Sequence, residues 1–105
     1  MKYDGRAKKQ PQGYVYIFGN RFHHWYKIGT TQDVWERLRG VQVGCPVEIK
    51  RISSAWVENA DEVEKQLHQK YSSRRLRGEW FLLQDEEVAE LKSYLSVTDK
   101  KRTPK

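Results

Sequence analysis

A single cysteine, three prolines, one methionine and no long apolar run narrow what this chain of 105 residues can be. Cys45 alone excludes an intramolecular disulfide framework. No stretch is apolar for long enough to span a bilayer or to form a signal-peptide core, so a soluble cytoplasmic protein with no membrane contact is expected. His23, His24, Cys45 and His68 lack zinc-site spacing, since adjacent strand histidines point to opposite sides and neither Cys-x-x-Cys nor His-x-x-x-His occurs. A Gly-rich phosphate loop leading to Lys-Ser or Lys-Thr is missing, as is a Gly-x-Ser-x-Gly elbow. Nucleotide hydrolysis and acyl transfer therefore have no sequence basis, and no organic cofactor is implied.

Positive charge is in excess. Twenty Lys and Arg against fourteen Asp and Glu leave a formal charge of +6, which favours a polyanionic partner such as nucleic acid. Part of the excess lies at the ends, in residues 1–12 (Lys2, Arg6, Lys8, Lys9) and 98–105 (Lys100, Lys101, Arg102, Lys105). Neither segment has a hydrophobic period, so both read as flexible basic extensions of one domain over residues 13–97. The length suits one core and no second domain.

Within that domain, Gly13 to Phe18 and Trp25 to Gly29 are rich in Tyr, Ile and Val and are separated by a turn-forming segment, the pattern of an antiparallel hairpin. Alternation places Tyr14, Tyr16 and Phe18 on one face and Val15 and Ile17 on the other. Asp33 and Glu36 have capping-box spacing and predict a helix from Val34 to Arg39 or Val41, ending near Gly40 to Gly44. Arg37 falls inside the arc of Val34, Leu38 and Val41, either turned inward or with its stem packed and its guanidinium in water. Val47 to Val57 reads as a third strand.

Asn59 and Glu62 repeat the capping-box spacing ahead of a helix over residues 60–72, where Ala60, Val63, Leu67 and Tyr71 recur at helical intervals. Glu64 interrupts that apolar stripe. Desolvating a carboxylate requires a partner, so Glu64 is an ion-pair partner of Arg37, an edge residue reaching water, or a metal ligand. Arg74, Arg75 and Arg77 form a basic patch, either a solvated surface or a grip on phosphates, next to Gly78-Glu79-Trp80-Phe81, a turn entering a short aromatic strand. Asp85 is placed to cap a last helix whose Val88, Leu91 and Leu95 would cover the open sheet face.

Tyr14-Val15-Tyr16, Lys27-Ile28-Gly29 and Arg37, in that order, resemble the GIY-YIG nuclease motif. Glu64-x-x-Leu67-His68-x-x-Tyr71 followed by Gly78-Glu79-Trp80-Phe81 is similar to the phage-associated T5orf172 branch of that superfamily. Two positions depart from the usual pattern: Tyr14 stands at the first glycine and Lys27 at the first tyrosine of the second triplet, with Tyr26 before it. The resemblance implies an α/β (α+β) fold with a small central antiparallel three-stranded sheet flanked by helices. It also implies a metal-dependent endonuclease acting on DNA, most simply duplex, with Mg²⁺ or Mn²⁺ as cofactor. A catalytically silent nucleic-acid-binding module with the same fold is the alternative.

By that resemblance Tyr16 deprotonates or orients the attacking water, Arg37 holds the scissile phosphate and Glu64 binds the metal. Lys27 joins this catalytic set, since a nearby positive charge lowers the pKa of a tyrosine. Tyr14, Tyr26, Gly29 and His68 are expected in support, and Arg39, Arg74, Arg75 and Arg77 as nucleic-acid contacts. A domain this small is also expected to take part of its specificity from a partner protein.

Overall fold

A computed structural model describes residues 12–100. Strand β1 (Gly13–Asn20) and β2 (Trp25–Thr31) form the expected hairpin, and helix α1 (Val34–Val43) follows at once. Strand β3 (Lys50–Val57) and helix α2 (Ala60–Lys70) come next, then a 3₁₀ turn over Ser72–Arg74. Two short strands, β4 (Arg75–Arg77) and β5 (Trp80–Leu82), precede helix α3 (Asp85–Thr98). The sheet has five strands in the order β3-β1-β2-β5-β4, every neighbouring pair antiparallel. The expected three strands are its larger part. β4 and β5 are three residues each, too short to carry a readable alternation.

Alternation in β1 sorts the two cores as expected. Val15 and Ile17 join Tyr26, Ile28 and the apolar stripes of α2 and α3 on one face. Tyr16 and Phe18 lie on the other with Val34 and Ile49, beneath α1. α3 packs chiefly on β3 and α2 on β2 and β1.

Several boundaries differ from the sequence reading. α1 runs through Gly40 to Val43, because the Asp33 carboxylate caps it at the Glu36 N–H (3.1 Å) and one glycine does not break a capped helix. Asn59 makes no side-chain cap. The cap of α3 is Gln84, in a reciprocal capping box with Glu87, and Asp85 is already helical. Thr98 closes α3, while Asp99 accepts from the Trp56 N–H (2.8 Å) and the Lys100 N–H donates to the Trp56 carbonyl (2.8 Å). Asp99 and Lys100, two residues of the expected tail, thus hold the outer edge of β3. Residues 1–11 and 101–105, the rest of the two expected extensions, lie outside the described residues. Among the described residues, no helix is long and apolar enough to cross a membrane.

Candidate functional site

The site is organised around Gly29. The β1–β2 register sets Tyr16 opposite Gly29 and Phe18 opposite Lys27, so these four residues share the α1 face. A Cβ at residue 29 would stand 2.5 Å from Tyr16 Oη and 3.0 Å from Glu79 Oε1, so only glycine admits both groups. Pairing of β2 with β5 covers only Trp25 to Lys27. Past that point the strand edge is met by the turn at Glu79, whose carbonyl accepts from the Ile28 N–H (3.0 Å), and by α2, whose His68 Nε2 donates to the Ile28 carbonyl (2.9 Å). α2 thereby brings Glu64 round the strand edge to Glu79.

Lys27 Nζ donates to Glu79 Oε1 at 2.6 Å, a charge-assisted pair whose lysine end is largely buried. Glu64 lies 3.9 Å from His68 Nε2 and is mostly covered. Burial, a hydrogen bond to Glu79, the Glu79 charge and Asp61 push the Glu64 carboxyl up to about 7, with Lys27 opposing. Burial acts on Glu79 in the same direction, but the Lys27 hydrogen bond and charge, helped by Glu64 and His68, outweigh it and hold Glu79 below the usual carboxylate range. The pair is thus split, Glu79 ionised and Glu64 ready to keep a proton.

Tyr16 is fully buried, and its hydroxyl makes no hydrogen bond among the described residues. Burial first, then the Glu79 and Glu64 charges, push it up to about 12, while Arg37 opposes the rise from nearby without hydrogen-bonding geometry. The expected lowering of a neighbouring tyrosine by Lys27 does not occur, because the Lys27 charge is taken up by Glu79.

Arg37 is exposed as a residue, yet its guanidinium reaches near the buried Tyr16 hydroxyl and opposes the rise in its pKa. Among the described residues no ion pair joins it to Glu64, so the expected structural pair is not formed. Tyr26 is buried on the opposite face, since alternation turns it away from Lys27. Tyr14 packs edge-on against Trp56 (4.9 Å) on β3. The arginines do not act as one patch. Arg74 pairs with Glu87 (3.0 Å), Arg75 lies over the Phe81 ring and bonds the Gly78 carbonyl, and Arg77 and Arg39 are exposed.

Glu79 is the site residue that sequence reasoning did not single out. Its signal was a lone carboxylate between a turn glycine and an aromatic strand, which has no period to show where it points. Among the described residues, no group of three or more His, Cys, Asp and Glu is arranged to hold a metal. Glu64, with Glu79 beside it, offers the hard oxygen donors that suit Mg²⁺ or Mn²⁺, an ion that keeps several waters and needs few protein ligands.

No curated protein and no solved structure matches this chain. A family model does match: that of the T5orf172 domain covers residues 13–96, from β1 into the last turn of α3, and the chain belongs to the T5orf172 domain family.

Proposed function

We propose that this protein is a metal-dependent endonuclease of the GIY-YIG kind that hydrolyses DNA phosphodiester bonds at Tyr16, Lys27, Arg37, Glu64 and Glu79. One observation carries the reading: a buried tyrosine hydroxyl with no hydrogen-bond partner among the described residues meets two carboxylates and a lysine over a glycine that cannot be replaced, with an exposed arginine beside them. Membership of the T5orf172 family, which is associated with nuclease-type domains, supports the same class.

Glu64 would hold a Mg²⁺ or Mn²⁺ ion, and the proton that Glu64 keeps to about pH 7 marks a place where positive charge is welcome. When bound, the ion supplies Lewis-acid stabilisation of the leaving oxygen. Tyr16, pushed up to about 12, is a neutral phenol at physiological pH and holds the attacking water by hydrogen bonding. Arg37, exposed and close to Tyr16, takes the scissile phosphate, a group its planar fork matches. Lys27 holds Glu79 in its ionised form beside Glu64 and fixes where that carboxylate points.

The test is nicking of supercoiled plasmid in Mg²⁺ against EDTA, with open circles expected only with the metal. The binding-module alternative draws on the raised Tyr16 pKa, which leaves no standing base there. DNA binding without nicking in either Mg²⁺ or Mn²⁺ would establish that alternative.

A further inference from the structure

The geometry points to a second subsite: a cleft adjoining Lys27 that receives one unpaired nucleobase of the DNA strand whose phosphate sits at Arg37, which rests on the nuclease reading of the reaction site. The cleft has a volume of about 510 Å³, inside the range of roughly 300–1,000 Å³ usual for small-ligand sites. One wall is aromatic. Lys27 and Trp80 are cross-strand partners in β2 and β5, and Trp25 lies two residues along β2 on the same face. His23 stacks on Trp25 with centroids 4.4 Å apart and planes at 18°, which holds the indole in place. Gly40, Val41 and Pro46, from the end of α1 and the turn after it, line the other side.

Charge complementarity identifies the occupant as a nucleotide rather than a general apolar group. Residues 37, 40 and 41 recur at helical spacing along one stripe of α1, so Arg37 stands less than one turn, a rise of about 4.5 Å, from Gly40. Lys27 belongs to both the reaction site and the cleft and stands beside the two indoles, so a phosphate held at the reaction site has its own base within reach of the aromatic wall. Bases stacked in a duplex hide both faces, whereas an unpaired base offers two π-faces to the tryptophans.

Gly40 is an independent sign. It sits inside α1, where glycine weakens a helix relative to alanine, yet an added Cβ would meet nothing within 4 Å. Packing within the described residues does not require it. The open backbone there leaves room for a ligand at that side of the cleft.

The test uses the full chain in EDTA, so that binding is read without cleavage, and two duplexes identical except that one 2-aminopurine is either paired or unpaired. Binding about tenfold tighter to the unpaired duplex is expected, with the 2-aminopurine fluorescence quenched by an indole. Trp25→Ala should remove the preference and Trp25→Phe restore part of it. Gly40→Leu places a good helix former in open space, so its thermal midpoint should hold or rise while the preference disappears. Equal affinity for both duplexes in the wild-type protein, or a preference that survives Gly40→Leu, overturns the subsite. Nicking in Mg²⁺ without selectivity for unpaired bases removes this proposal and leaves the nuclease; selective binding by a protein that nicks nothing removes the nuclease and leaves the subsite.

Discussion

On the face of the sheet covered by α2 and α3, fourteen buried side chains from Val15 to Leu95 form one continuous core. Under α1 there are only four among the described residues, Tyr16, Phe18, Val34 and Ile49, fringed by half-buried residues that include Leu38, Val41 and Trp80. The difference is one of purpose. The thick core contributes most of the apolar burial, about 25 cal/mol per Å², and fixes the sheet. The thin one leaves Tyr16 with a buried hydroxyl that lacks a hydrogen-bond partner among the described residues, an arrangement that costs stability and that the opposite face compensates. The candidate site groups collect where packing is incomplete.

That contrast can be broken at either face. The largest effect is expected from Glu64→Gln, which keeps shape but removes the carboxylate: nicking in Mg²⁺ should fall by about two to three orders of magnitude while the thermal midpoint holds. A variant that nicks normally but melts much earlier would reduce Glu64 to a structural residue. Leu91→Ala, in α3 on the thick face, should do the reverse. It removes a side chain that is 1% exposed and should cost about 2–5 kcal/mol by denaturant titration, with activity per folded molecule unchanged.

Tyr16→Phe sharpens the comparison, since it deletes the unpartnered hydroxyl and keeps the ring stacked on Phe18 (3.9 Å). Stability should rise by about 1 kcal/mol while nicking is lost, a pairing of signs that a structural tyrosine would not give. A further expected effect is one of pH. Glu64 titrates near its ordinary 4.5 when unfolded and at about 7 when folded, so the native state holds more protons in between. Stability without divalent metal should therefore decline as pH rises from about 4.5 to about 7 and then level off. Thermal midpoints across that window, for wild type and Glu64→Gln, check this; an equal slope in the variant would assign the effect to another group.

The elements that persist for several periods were legible from residues alone. β1 alternates over Tyr14 to Phe18, and the structure divides those residues between the two faces as the alternation requires. The Asp33 cap and the apolar stripe of α2 were equally clear, because capping and helical spacing are local. Glu64 stood out as a charge within an apolar stripe. Arg37 did too, but its exposure depends on how little of α1 the sheet covers, a quantity that no helical wheel contains.

What the sequence determined by itself was the inward faces of β1, α2 and α3, the Asp33 cap and an ordered set of candidate site residues, since these depend on neighbours within a few positions. Tertiary structure alone decided that β2 pairs with β5 only as far as Lys27 and leaves an edge for Glu79 and α2 to meet. It also decided that the Lys27 charge goes to Glu79, 52 residues away, rather than to a tyrosine. Those outcomes depend on which strand lies beside which, and so on contacts between residues far apart in the chain. Short-range periodicity carries no record of them.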